Sequence, residues 1–238
     1  MAERTILATC GGWTPSTWHG IDFSPLQRYA VELAGVEGRR ARVAIIGTAQ
    51  GDPRPSESDE LAAAARAGVD AFHIRLFGRN FPDLDEALAD VDVVWVNGGS
   101  VVNLLAVWRA HGLDQVLRRA WERGVVLAGV SAGAICWHAG GPTSSFGGDT
   151  INVVDDALGF VPTSIAVHYD SQPGRRPAFH AAIADGAIPG GYAVDEGVGI
   201  VYRGTEPTQF VAESDGSAYR VVAEDGRAVE TSIAPRRL

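Results

Sequence analysis

The sequence contains no lysine: all 20 basic residues are arginine. That absence excludes lysine Schiff-base chemistry, pyridoxal phosphate, a Walker phosphate loop and a Ser-Lys dyad. It leaves any recognition of anions to the planar fork of arginine. Cysteine is scarce as well. Cys10 and Cys136 are too few for a disulfide framework and fit no metal-ligand spacing, so both read as buried thiols and neither a metal nor another cofactor is expected. No apolar run reaches the ~18 residues of a membrane span. Met1-Ala2-Glu3-Arg4 lacks the charged-then-apolar build of a signal peptide, so a soluble, cytoplasmic protein is expected. Excess positive charge is missing too. A net charge of −9 argues against nucleic acid or an anionic membrane as partner.

What is present suits one globular core. At 238 residues and 46% hydrophobic, the chain is long enough to bury most of its apolar surface in a single domain spanning 1–238. Apolar, β-branched runs at 5–9, 43–47, 72–77, 91–96 and 125–130 read as strands buried on both faces. Between them lie helical patterns. Ser24-Pro25 supplies an N-cap and first-turn proline for a helix presenting Leu26, Tyr29, Ala30 and Leu33, and 13–23 reads as a loop. Helices are expected over 57–67, 81–90 and 132–137, and Leu113, Val116, Leu117, Ala120 and Trp121 sit at helix spacing. Strands alternating with helices predict an α/β three-layer sandwich with a mostly parallel central sheet and helices on both faces. Past residue 137, 158–167 reads as a strand delivering His168 and 177–184 as a helix. From Tyr192 onward, runs separated by Asp215-Gly216 and Asp225-Gly226 read as antiparallel hairpins at the sheet edge.

The chemistry centres on Gly129-Val130-Ser131-Ala132-Gly133. In a Gly-x-Ser-x-Gly elbow a strand turns sharply into a helix, leaving the serine exposed on strained backbone, and side chains two residues either way would collide with neighbours. The helix start offers unpaired N–H groups to a developing anion. Asn97-Gly98-Gly99-Ser100, just past another strand, is a second source of outward-pointing N–H groups. Ligands bind at the carboxyl ends of parallel strands, so Gly11-Gly12, Gly98-Gly99 and Ser131 can share one site.

A serine hydroxyl needs a base, and the base needs an orienting group. Of the six histidines, His168 ends a strand after the elbow and is the expected base; His138 is the next candidate. For the carboxylate, Asp149 lies in a glycine-flanked loop between nucleophile and base. Glu196 and Asp195 come second, with Asp155, Asp156 and Asp170 behind them.

Five segments now resemble the peptidase E family: Ile6-Leu7-Ala8-Thr9-Cys10-Gly11-Gly12, Val96-Asn97-Gly98-Gly99-Ser100 with Asn103-Leu104-Leu105, Gly129-Val130-Ser131-Ala132-Gly133-Ala134, Leu158-Gly159-Phe160-Val161-Pro162 and Val167-His168-Tyr169-Asp170. The resemblance runs from about Thr5 to Tyr202. It implies a glutamine-amidotransferase-like sheet and hydrolysis of short peptides, typically dipeptides beginning with aspartate. Ser131 then matches the nucleophile, His168 the base, and Gly98, Gly99 and Ala132 the oxyanion loop, with Asp149 in the region of the third triad member. Two departures stand out. Cys10 occupies a position where serine is common, and Ser100-Val101 replaces the more usual Asn-Thr. No motif matches after Arg203.

An acidic substrate in an acidic protein needs a fixed cation. Arg175 and Arg176, shortly after His168, are the expected ones, with Asp170 and Glu196 also placed around the substrate. A small peptide is the expected partner, and a homodimer stays open. Two alternatives share features: a cyanophycinase-like hydrolase of β-linked aspartyl-arginine, and a binding protein that lost catalysis. An α/β-hydrolase esterase has the same Ser, Asp, His order, but the glycine-rich loop after the fourth strand and the antiparallel ending do not suit it. A glutamine amidotransferase is excluded because its elbow carries a cysteine thiolate.

Overall fold

The computed structural model describes residues 3–18, 20–147 and 150–238. Along the chain it runs β1 (Thr5–Thr9), β2 (Trp13–Ser16), β3 (Gly20–Phe23), α1 (Pro25–Leu33), β4 (Arg42–Ile46), a 3-10 turn (Thr48–Gln50), α2 (Arg54–Arg66), β5 (Asp70–Ile74), α3 (Leu84–Ala87) and β6 (Val93–Val96). Then come α4 (Val101–His111), α5 (Leu113–Glu122), β7 (Val126–Val130), α6 (Ala132–Ile135), β8 (Gly141–Thr143), β9 (Asn152–Val154), β10 (Ser164–Ala166) and α7 (Arg175–Ala184). The chain ends in β11 (Gly191–Val194), β12 (Val198–Arg203), β13 (Glu206–Ala212), β14 (Ala218–Glu224), β15 (Arg227–Ile233) and β16 (Arg236–Arg237).

Among the described residues the main sheet has eight strands in the order β16-β13-β12-β1-β7-β6-β4-β5. The block β1-β7-β6-β4-β5 is parallel, and β12 joins β1 antiparallel. Side chains of successive strand residues point to opposite faces, and here both faces are covered. Ile6, Ala8, Ala44, Ile46, Val94, Val96 and Leu127 pack with α4, α5 and α6. Their alternates Leu7, Val43, Ile45, Val93, Trp95, Val126 and Ala128 pack with α1 and α2. This is the expected three-layer sandwich, and it explains why the strands read as unbroken apolar runs.

Several local expectations are corrected. Residues 13–23 contain a hairpin, β2 and β3, in which Trp13 packs edge-on against Phe23. Helix α2 starts at Arg54, with Pro55 in its first turn where the missing N–H is harmless. The strand expected over 158–167 shrinks to Ser164–Ala166, because Gly159 takes a positive φ and Pro162 follows.

The C-terminal strands do not all finish one sheet edge. β12 and β13 extend the main sheet, whereas β14 and β15 join β10 and β11 in a second sheet, order β10-β11-β14-β15, packed against α7. Asp225-Gly226 is the hairpin turn expected, both residues at positive φ. Asp215-Gly216 instead crosses between the two sheets.

Candidate active site

The parallel block places the ends of β1, β7 and β6 side by side, with β7 in the middle. Ser131 follows β7 at φ 56 and ψ −109, a conformation that L-residues avoid and that tight packing must enforce. The flanking glycines are steric necessities. A Cβ on Gly129 would lie 2.5 Å from the Gly133 carbonyl oxygen, and one on Gly133 would lie 2.3 Å from that of Val96. The Ser131 N–H is anchored to the Thr9 carbonyl at 3.0 Å, tying the elbow to β1.

The nucleophile candidate has a base within reach. Ser131 Oγ lies 2.9 Å from His168 Nε2, and His168 Nδ1 lies 2.5 Å from Glu196 Oε1. A carboxylate at Nδ1 fixes the ring proton there, so Nε2 is left to accept from the serine. His168 does end a strand, as expected, but the strand belongs to another sheet. The residue follows β10 of the second sheet, at φ 57, and not a strand of the sheet that carries Ser131. Glu196 sits in the turn between β11 and β12, where the chain passes from the second sheet back to the first.

Glu196 is itself held. Ser171 Oγ donates to its Oε1 at 2.7 Å, and its own N–H donates to Asp170 Oδ1 at 3.0 Å. Burial pushes the Glu196 carboxyl up, but the hydrogen bonds from His168 and Ser171 outweigh it, and the net effect keeps the group below the usual carboxylate range. Asp195 turns away, accepting from Ser217 N–H at 2.9 Å and Tyr219 O–H at 3.2 Å.

Two backbone segments face the serine. Gly98 is so close that an added Cβ would sit 3.3 Å from Ser131 Cβ, and Gly99 has φ 135 with the Ala49 carbonyl oxygen 2.4 Å from where a Cβ would stand. Among the described residues the N–H groups of Gly98, Gly99 and Ala132 have no protein acceptor. The preceding Asn97 is buried and clamps the loop: its Oδ1 accepts from Trp13 Nε1 at 3.0 Å and Trp95 Nε1 at 3.2 Å, and its Nδ2 donates to Glu60 Oε1 at 3.0 Å. Ser100 caps α4 by accepting from Asn103 N–H at 3.2 Å, so the Ser-Val departure leaves a working helix start.

The remaining expected residues divide. Asp149, like His19, lies outside the described residues. Of the two expected around the substrate, Glu196 is engaged with His168, and Asp170 accepts from the Glu196 N–H. Arg176 is committed elsewhere, 2.5 Å from Glu230 and stacked on the Tyr169 and Tyr219 rings. Arg175 is 2% exposed, donates to the Pro142 carbonyl and to Gln172 Oε1 at 2.7 Å, and has no carboxylate partner among the described residues. Burial lowers its pKa to about 10. Asp156 pairs with Arg109 at 2.9 Å. His138 is fully buried, 3.0 Å from the Tyr202 hydroxyl, and burial lowers its pKa to about 4.

Sequence reasoning missed Ser171, the Asn97 clamp and the position of Cys10, whose Sγ accepts from the His168 N–H at 3.1 Å. Ser171 follows His168 by three residues in a polar turn, which was a usable signal.

The sequence profile of peptidase family S51 matches residues 21–210. The chain is 36% identical over 193 residues to the uncharacterised peptidase YgaJ of Bacillus subtilis (strain 168), covering 81% of this chain and 83% of that protein. It is 30% identical over 164 residues to peptidase E of Streptomyces coelicolor, covering 67% of this chain and 63% of that protein. A crystal structure of a peptidase from an acI-B1 Actinobacterium superposes with a TM-score of 0.69 at 17% identity, covering 98% of this chain and 95% of that one, which shows a shared fold. With the profile matched across most of its length and the Bacillus relative 36% identical over 83% of that protein, the chain belongs to peptidase family S51 and is a peptidase.

Proposed function

We propose that this peptidase works through an acyl-enzyme on Ser131, with His168 as general base and Glu196 as the group that orients and steadies the imidazole. One observation carries the reading: the serine, on strained backbone, lies 2.9 Å from an imidazole nitrogen whose opposite nitrogen meets a carboxylate at 2.5 Å. Ser131 attacks the scissile carbonyl while its proton passes to His168 Nε2. The oxyanion formed lies between the N–H of Gly98 or Gly99 and that of Ala132. His168 then returns the proton to the leaving amine, and water, activated by the same ring, releases the acid product.

The substrate class proposed is short peptides, dipeptides above all, with aspartate at the N-terminus. The name of the Streptomyces relative supports the peptidase E part of this reading. Arg175 supports the acidic part, because a guanidinium buried without a counter-carboxylate is stabilised by an incoming one. Since Arg176 is held by Glu230 and two tyrosines, the recognition role falls to Arg175.

The test is a dipeptide panel varied at the first residue. The wild-type chain is expected to cleave Asp-X dipeptides best. Ser131→Ala is expected to lower turnover by about four to six orders of magnitude, since members of such a unit fail together. Arg175→Met is expected to erase the preference for aspartate over alanine. Turnover surviving in Ser131→Ala rejects the mechanism, and preference surviving in Arg175→Met rejects the pocket.

A further inference from the structure

Cys10 is not needed for the proton path from Ser131 to Glu196, yet its sulfur lies against it. Cys10 Sγ is 3.4 Å from His168 Nδ1 and 3.5 Å from Glu196 Oε2, and the ligand atoms of the three residues all fall within 4.8 Å of one another. Tetrahedral zinc, with thiolate at ~2.3 Å and nitrogen or oxygen at ~2.0–2.1 Å, separates sulfur from its neighbours by about 3.5 Å and nitrogen from oxygen by about 3.4 Å. Both sulfur edges already have that length. The oxygen on the sulfur edge is Glu196 Oε2, whereas Oε1 makes the 2.5 Å contact with the ring, so the carboxylate has to turn until one oxygen meets both edges. Its side chain is 46% exposed, which leaves it room to turn and leaves the fourth coordination position to solvent.

We propose that Cys10, His168 and Glu196 form an inhibitory binding site for zinc or a similar borderline-soft divalent ion. The thiolate and imidazole select against magnesium and calcium, which take oxygen ligands. The inference rests on the catalytic reading above, because the metal and the proton relay compete for the same nitrogen. When Nδ1 binds metal, the neutral ring carries its proton on Nε2. That nitrogen then donates toward Ser131 and can no longer accept its proton. One proton, from the Cys10 thiol, is released, and no oxidation state changes. Burial and the Glu196 carboxylate push the Cys10 thiol up, so without metal the sulfur is a protonated thiol, a poor target for oxidants.

Cobalt(II) reports the site without reference to activity, through the thiolate-to-metal charge-transfer band in the near ultraviolet. The purified wild-type chain is expected to develop this band with one equivalent of cobalt and to lose it on adding zinc. Ser131→Ala and Cys136→Ala are expected to keep the band, and Cys10→Ser to lose it. With three protein ligands in place of four, half-inhibition is expected on the order of 10 μM zinc, reversible by chelator. Cys10→Ser, read against its own metal-free rate, is expected to resist zinc. No band in the wild type, a band that survives Cys10→Ser, or equal zinc inhibition of Cys10→Ser overturns the proposal. Should Cys10→Ser fail to fold, Cys136→Ala decides: its only thiol is Cys10, and loss of the band there overturns the site. Activity persisting in Ser131→Ala defeats the catalytic reading alone, since the cobalt band does not involve that serine.

Discussion

Replacing Glu196 by glutamine removes one charge and almost no volume, and its effect can be worked out from the contacts. In the proposed attack His168 becomes an imidazolium, and Glu196 is the carboxylate 2.5 Å from its Nδ1. Taking ~4 Å between charge centres and an effective dielectric constant of ~20, the attraction is ~4 kcal/mol. The carboxylate is 46% exposed, so solvent screens a good part of it. About 2–3 kcal/mol remains, which corresponds to a loss of roughly 30- to 150-fold in kcat. A larger loss, near ~10,000-fold, would follow if the amide turned its NH2 toward Nδ1 and forced the wrong tautomer. Ser171 opposes that turn, because its hydroxyl donates to the same oxygen at 2.7 Å and favours a carbonyl there. The expected result of Glu196→Gln is therefore a ~100-fold fall in kcat with KM within about threefold, measured by steady-state hydrolysis of a dipeptide. Asp149→Asn, assayed in parallel, is expected to change kcat by less than about threefold. A Glu196→Gln enzyme as fast as the wild type, with Asp149→Asn disabled, would refute the reasoning and return the third role to the 149 loop.

Two further substitutions probe the oxyanion loop. Gly99→Ala brings a Cβ to 2.4 Å from the Ala49 carbonyl oxygen at φ 135, so a stability loss of about 1–3 kcal/mol and a kcat loss of ~100- to 1,000-fold are expected, read by chemical denaturation and steady-state kinetics. A normal kcat would remove this loop from the site. Beneath it, burial raises the Glu60 pKa to about 7, with Glu57 and Asp59 adding to it and the Asn97 hydrogen bond opposing it. A raised carboxylate pKa means that the folded chain holds the proton more tightly than the unfolded one. Glu60 therefore contributes stability that is full below about pH 4.5 and is lost as pH rises through about 7. Glu60→Gln is expected to gain ~2–3 kcal/mol relative to the wild type between pH 5 and pH 8, read from urea unfolding at each pH. A difference between the two that does not vary with pH would show that Glu60 is not the titrating group.

Residues whose identity is forced by local sterics were the most legible in the sequence. The glycines at 129 and 133 announced the elbow because nothing larger fits against Val96 and the helix start. Ser24-Pro25 announced α1 because the capping box is local, Ser24 Oγ accepting from Gln27 N–H and Gln27 Oε1 from Ser24 N–H. The alternation of strands and helices gave the sandwich. What depends on tertiary approach was harder to read. Glu196 was one carboxylate among six candidates, and only the crossing from β11 to β12 brings it to His168, 28 residues away.

Asp215-Gly216 and Asp225-Gly226 look alike as dipeptides and do different work. Gly226 needs its positive φ for a tight hairpin. Gly216 is required because a Cβ would come within 2.6 Å of Val198 Cγ2 and 2.8 Å of the Glu196 carbonyl oxygen. Cys10 was equally hidden. No spacing rule joins it to His168 and Glu196, 158 and 186 residues along the chain.

The most direct measurement is peptide-resolved mass spectrometry after treatment with a serine-directed phosphonate. A single adduct is expected, on the peptide carrying Ser131, absent from Ser131→Ala and formed more slowly in Glu196→Gln. An adduct on any other residue, or none at all from a preparation that is cleaving dipeptides, would contradict Ser131 as the nucleophile.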